Sequence, residues 1–503
     1  MIMELTLQFE EIRCCETTGS VVLTHEESLE AAIPEYCPDI ARIVDAAGQL
    51  KVREKKLSGG RLTVTGNVRV NVLYTSGERA GLRSVVMAVP FTCSVEDSRL
   101  IGCRTVCVCG RLPLVEAKTV NARKLYIRVM PEFEVEGVAA PQRKVCVGSD
   151  IDAALRMKRE EVSEKVLTAV LEREFNYNQD FGAENQGGNP EEILLDRTNL
   201  HITECQRIGP KLVIKGDAAV SVLYRTQEQE MRSTDSLLPF SQILDVADFP
   251  EDAEFQVEPW IIDSDVRLLR SENGAKFGLT LRMGVLVKVY CRLSFSYIKD
   301  LYSTTHETDT AYQEVSLPIC GPAEIICGEA VQQLEFGQGK PFACLTGAEC
   351  GGVSCAAEGN GTAVKTNLRL KILYLDETGA PMVTERVMEV EAHTLEMPRS
   401  AWAICRPPEI QMLPGNCQVK IPVDFFLERS RSRQISTVRE AVLGEPVSRE
   451  MPSLILRRMA NQEDLWSIAK QYHTKVELIC SVNDLEEENP LPEGMLLIPR
   501  ERG

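Results

Sequence analysis

Histidine is scarce in this chain. There are five in 503 residues, His25, His201, His306, His393 and His473, and none recurs at an equivalent position of the repeat described below. H-E-x-x-H, G-x-S-x-G and Gly-rich phosphate loops are missing too, and with them the local signatures of zinc-protease, hydrolase and nucleotide chemistry. No enzyme, catalytic residue or cofactor is therefore expected, although a Cys/His pair assembled by folding is an arrangement that sequence spacing leaves open. No apolar run approaches the roughly 18 residues that a membrane-spanning helix needs, so no membrane insertion is expected. The opening Met1–Thr6 lacks a basic stretch followed by an apolar core, and no secretory signal is read there. Positive charge is in deficit: 56 Lys and Arg stand against 74 Asp and Glu, a net charge of −18. That balance argues against nucleic acid as a partner and favours neutral or basic ones.

Cysteine is plentiful, at 18 residues, but its spacing is not that of a metal site. There is no C-x2-C pair and no Cys/His block, so no metal is expected. The clusters are Cys14-Cys15, Cys103/Cys107/Cys109 and Cys344/Cys350/Cys355. Cys107 and Cys109, two apart among valines, share one face of a strand. Buried free thiols in a reducing compartment are the plain reading. The sharper one is oxidation between neighbouring molecules of a lasting assembly.

What the chain does contain is a repeat. Gly66-Asn67-Val68-Arg69-Val70-Asn71-Val72-Leu73-Tyr74 returns as Gly216–Tyr224 and again as Thr366–Tyr374, with the tyrosines 150 residues apart both times (224 − 74 and 374 − 224). Val68, Val70 and Val72 alternate, as do Leu368, Leu370 and Ile372. Period two predicts a strand with one buried face. Leu50/Leu200, Val52/Ile202, Leu62/Leu212 and Val64/Ile214 extend the same offset upstream. The third copy keeps Val364 but replaces the preceding strand with the small-residue stretch Ala348–Ala357. Asp376-Glu377-Thr378-Gly379 is turn chemistry, with glycine supplying a positive φ. A chain of this length divides into several domains. The expected fold class is mainly β: three repeated sandwich-like modules over 1–175, 176–315 and 316–430, the third divergent.

Two stretches break the pattern. Lys158–Phe175 has apolar residues at helical spacing and good helix formers; a helix linking the first two modules and two short strands both fit, and the reading taken is strands joined to a short helix. Asn176–Pro190 reads as a loop and a module boundary. Polar, Arg/Ser-rich 431–452 reads as a linker.

The tail, 453–503, changes style. Leu454-Ile455-Leu456 reads as a strand. Asn461 is a candidate N-cap for a helix burying Leu465, Ile468, Ala469 and Tyr472 at i, i+3, i+4, i+7 spacing. Thr474 with Glu477 reads as a capping box for a second helix burying Val476, Ile479 and Cys480. Asn483-Asp484 ends it, and Gly494–Pro499 supplies a closing strand. The predicted order is β-α-α-β.

This tail resembles a LysM domain in Asp464-Leu465-Trp466-Ser467-Ile468-Ala469, in Asn483 and in Pro492–Pro499. LysM domains usually bind N-acetylglucosamine polymers with the loops after the first strand and the second helix. The resemblance therefore points to Gln462, Glu463, Asp464, Trp466, Asn483, Asp484, Leu485, Asn489 and Pro490 as candidate partner- or glycan-binding residues. Where the family commonly has Gly-Asp-Thr, this chain has Gln462-Glu463-Asp464, which puts a side chain where backbone would approach a sugar. Trp466 lies off the buried stripe and, if exposed, would be an interface anchor.

Ile33-Pro34-Glu35-Tyr36-Cys37-Pro38-Asp39-Ile40-Ala41-Arg42-Ile43, followed by the Gly66–Tyr74 strand, looks like a SPOCS module, and Asp300-Leu301-Tyr302-Ser303 is similar to another of its recurrent elements. SPOCS modules with a LysM tail resemble the SipL-type family of spore coat morphogenetic proteins, functional relatives of SpoVID. The resemblance implies a scaffold in the mother-cell cytoplasm at the forespore surface. Its tail would bind a SpoIVA-like coat basement ATPase and its β modules other spore coat proteins. Peptidoglycan of the cortex or wall is the alternative partner.

Overall fold

A computed structural model describes residues 3–77, 81–150, 154–182, 189–271, 274–335, 342–413, 416–447, 453–458, 464–485 and 495–500. The expected mainly β architecture is what forms. Alternation at period two yields a three-stranded antiparallel sheet in each copy, with the motif as its middle strand. The first comprises Arg42–Ser58, Arg61–Thr75 and Leu82–Glu96. Pro190–Ile208, Lys211–Thr226 and Met231–Asp245 repeat it, and Ala343–Glu358, Gly361–Leu375 and Pro381–Thr394 form the third.

Each motif sheet packs on a second antiparallel sheet with its own long central strand: Lys124–Ala139, Gly274–Ser303 and Asn416–Glu428. Val68, Val70, Val72 and Tyr74 pack with Leu125, Ile127, Val129 and Phe133 in the first core. Val220, Val222 and Tyr224 meet Phe277, Leu279 and Leu281 in the second, and Leu368, Leu370 and Ile372 meet Val419, Ile421 and Val423 in the third. Two sheets closed over alternating apolar faces make a β-sandwich.

The motif glycine has a steric cause. Ladders bulge between Val52 and Glu54 and between Ile202 and Glu204, next to the partners of Gly66 and Gly216. A Cβ on Gly66 would sit 2.1 Å from the Lys51 carbonyl oxygen, and one on Gly216 2.3 Å from that of His201. The third copy moves the glycine across the ladder. Its bulge lies between Cys350 and Val353, at Gly351-Gly352, and Thr366 Oγ1 donates to the Gly351 carbonyl at 3.1 Å.

The three copies meet at two places. On the outer face of the motif sheets, Leu73, Leu223 and Leu373 join one buried cluster with Leu194 and Cys344. Polar contacts run around it in a cycle: Arg69 to Asp196 at 2.5 Å, Arg197 to the Leu345 carbonyl at 3.5 Å, and Lys371 to Asp45 at 3.3 Å. At the other end, each copy contributes a ribbon of its first and last strands. Leu7–Ile12 pairs with Arg143–Ser149, the outer half of Leu155–Phe181 with that of Gly274–Ser303, and His306–Cys320 with Ser430–Pro446. Ile12, Val145, Val162, Val166, Tyr297, Leu317 and Ile435 form their common core. Charges from all three copies converge, with Lys288 and Glu428 buried: Lys288 lies 2.5 Å from Glu428 and 3.1 Å from Glu258, and Glu136 lies 3.0 Å from Arg399. Burial disfavours the charged form of Lys288, but Glu258, Cys107 and Glu428 raise its pKa well above the ordinary lysine value.

Three sequence expectations are corrected here. Residues 158–175 contain no helix; they lie within the single strand Leu155–Phe181, whose every position is laddered to Gly274–Ser303 apart from two bulges. The 176–190 stretch continues that strand to Phe181 and opens the next at Pro190, while 183–188 lie outside the described residues. The 431–452 segment is not a linker over 431–446. It forms most of the strand Ser430–Pro446, which buries Ile435, Thr437, Val438 and Ala441 beneath its polar residues. Residues 448–452 lie outside the described residues.

Candidate functional site: a docked C-terminal tail

The tail folds in the expected β-α-α-β order. Leu454–Arg458 pairs antiparallel with Met495–Pro499, and the helices α1 (Leu465–Gln471) and α2 (Val476–Val482) pack beneath them. The inner faces are Leu465, Ile468, Ala469, Val476, Ile479, Cys480, Leu496 and Ile498, with Tyr472 partly buried beside them. The caps differ from expectation. Asp464, not Asn461, is the N-cap of α1, its carboxylate accepting from the Ser467 backbone N–H at 2.9 Å, while Asn461 lies outside the described residues. Lys475 starts α2 without a side-chain cap, and the Thr474 hydroxyl donates to the Pro499 carbonyl instead of closing a capping box.

Tyr302 belongs to the tail's core although it ends the long strand Gly274–Ser303 of the second copy. Its ring meets Trp466 edge-on, centroids 4.9 Å apart, and its hydroxyl donates to the Thr474 carbonyl at 2.7 Å. Asp300 accepts from Trp466 Nε1 at 2.7 Å, from Lys470 Nζ at 2.6 Å and from the Tyr312 hydroxyl at 2.6 Å. Burial alone would raise the Asp300 pKa, but these donors outweigh it and hold the carboxyl below its ordinary value. Lys158 reaches Asp464 at 2.8 Å and helps, against burial, to bring that carboxyl to about 2. His473 Nδ1 lies 3.1 Å from the Ser303 carbonyl and its other ring nitrogen 3.3 Å from Glu307. The Asp300–Ser303 element is thus the seat of α1.

The candidate residues therefore separate. Asp464 and Trp466 face the body of the molecule and hold the tail to it. Asn483 is structural: its amide donates to the Ile479 and Leu497 carbonyls at 2.7 and 2.6 Å, and its oxygen accepts from the Leu497 N–H at 2.8 Å. Asp484, exposed and with φ of 52°, and half-buried Leu485, packed against the tail's core, follow it. Gln462, Glu463, Asn489 and Pro490 lie outside the described residues. The surface that sequence reasoning missed is the outer face of the two-stranded sheet, where Leu454, Leu456 and Met495 are more than half exposed. The signal was present in the unbroken Leu454-Ile455-Leu456, which places apolar side chains on both faces of a strand.

Residues 39–105 and 189–269 match the family model of the SipL, SPOCS domain. The match supports a SipL-type, sporulation-related chain. Both matched segments hold a complete motif sheet, Arg42–Glu96 in one and Pro190–Asp245 in the other, so the SPOCS signature lies on the strands that meet around Leu73 and Leu223. The third copy and the tail lie outside the matched residues. Neither the curated proteins nor the solved structures gave a match. Among the described residues no helix is long and apolar enough to cross a membrane.

Proposed function

We propose that this chain is a non-enzymatic morphogenetic scaffold of the spore envelope, acting in the mother-cell cytoplasm at the forespore surface. The observation that carries the proposal is the SPOCS match of two of its three β copies. The tail, of LysM type, is its tether, and the partner is a SpoIVA-like basement ATPase of the coat. Docking of α1 supports a particular orientation of that tether: Asp464 and Trp466 are spent on the chain's own body, leaving the Asp484-Leu485 side and the Leu454/Leu456/Met495 face to meet the ATPase. An exposed apolar face rimmed by polar residues is the kind of surface such contacts use. Three sandwiches that meet at the Leu73, Leu223 and Leu373 cluster give the other coat proteins several separate surfaces.

Affinity purification of the full chain from sporulating cells tests the proposal. The ATPase is expected in the eluate, and replacing Leu454 and Leu456 with Ser is expected to deplete it at least tenfold. Retention of the intact chain on purified peptidoglycan, with no ATPase recovered, would overturn the tether in favour of glycan binding.

A further inference from the structure

The sulfurs of Cys350 and Cys405 stand 3.1 Å apart, half-buried, on strands of different sheets. Cys350 lies on Ala343–Glu358, the edge strand of the third motif sheet, and Cys405 closes Ser400–Cys405, an edge strand of the sheet packed against it. All 18 cysteines are free thiols, and this is the pair whose sulfurs face each other at such range across a sandwich.

The position is not arbitrary within the repeat. Leu50 stands opposite Val68, Leu200 opposite Ala218 and Cys350 opposite Leu368, so the third copy has a thiol where the others have leucine. In the first copy Leu50 bridges the same edge: a Cβ on Gly110, in the facing edge strand Cys103–Asn121, would lie 2.7 Å from Leu50 Cδ2. The third copy lacks that aliphatic bridge, and its edge strand is built around Gly347, Ala348, Gly351 and Gly352. Two thiols take its place.

We infer that Cys350 and Cys405 are a modification site, a dithiol that a hydroperoxide converts into a disulfide stapling the two sheets of the third copy. A disulfide needs sulfurs at about 2.05 Å, a closure of about 1 Å between two edge strands, one of which bulges at Cys350/Val353. At this range either thiol can donate to the other, and this contact and then burial raise the Cys350 pKa, so the two share a proton and either sulfur can attack while the other resolves. One sulfur of the pair, as its thiolate, attacks the outer peroxide oxygen, the O–O bond breaks and the alkoxide leaves as an alcohol. Attack by the other sulfur on the resulting sulfenic acid forms the S–S bond and releases water. Two thiols and one hydroperoxide give one disulfide, one alcohol and one water, with two electrons passing from sulfur to oxygen.

The test is peptide mapping of the full chain after graded hydrogen peroxide and alkylation. At the lowest effective dose, two of the 18 thiols should be lost together as a cross-linked Cys350–Cys405 peptide. This should precede oxidation of the exposed Cys109 and Cys327, and dithiothreitol should restore both thiols. In Cys350→Ser, dimedone should instead trap a sulfenic acid at Cys405. Full alkylation of Cys350 and Cys405 at doses that oxidise Cys109 and Cys327, or a first cross-link between other cysteines, would overturn the inference.

Discussion

Glu136 and Glu349 are single residues whose ionisation the fold opposes. Burial, followed by the neighbouring Glu428, pushes Glu136 up to about 7 against the pull of Lys288 and Arg399. Burial also takes Glu349 to about 7, with Arg197, Arg369 and Lys371 opposing it less strongly. For an acid whose folded pKa exceeds its unfolded value near 4.5, the folded state holds the proton more tightly. Stability is then greatest below the unfolded pKa and falls as pH rises through the folded one. The midpoint of thermal unfolding should therefore decline between about pH 5 and pH 8, and Glu349→Gln should flatten that slope. A midpoint that rises over the same window would contradict the assignment. Neither carboxylate was conspicuous in the sequence, where both sit among ordinary strand polar positions. Their burial comes from contacts between copies, which a period-two reading of one strand does not contain. The motif glycines were more legible, since Gly66 and Gly216 recur in register; that Thr366 is tolerated in the third copy needs the relocated Gly351.

At the scale of elements, strands with one wet and one dry face were read well, and the errors fall where tertiary pairing overrides local pattern. Lys158–Phe175 has helix-forming residues throughout, but the strand Leu155–Phe181 that contains it is laddered along its length to Gly274–Ser303, and that ladder decides its state. Ser430–Pro446 looks like a linker because its buried Ile435, Val438 and Ala441 stand among the exposed Arg431, Ser432, Gln434, Arg439 and Glu440. The tail's helices were legible from their spacing, but their seat was not, because Asp300 and Trp466 are 166 residues apart. Hydrogen bonds to a charged group contribute roughly 1.5–3 kcal/mol each, and Asp300 accepts from three tail-side or adjoining donors. Asp300→Ala should release the tail, seen as a change in Trp466 fluorescence and faster proteolysis between 447 and 464. Unchanged protection would mean that Tyr302 and the α1 contacts suffice without the carboxylate.

For the molecule as a whole, the repeat announced three copies but not their closure around an axis. A hint lay in Val72-Leu73-Tyr74, where alternation gives way to consecutive apolar residues, a sign that both faces are covered. Leu73, Leu223 and Leu373 meet there. Leu223→Ala should cost about 2–5 kcal/mol, as for other large-to-small core changes, and unfold all three copies in one cooperative transition. A separate early transition of one copy would show that the axis does not couple them. The same closure places the docked tail at the ribbon end of the molecule, away from the motif sheets.

In the proposed role that tail is the address of a β scaffold, and localisation measures it most directly. A fluorescent fusion of the intact chain should outline the forespore in sporulating cells, and the same fusion lacking residues 453–503 should be diffuse in the mother cell. A truncated chain that still outlines the forespore would contradict the tether.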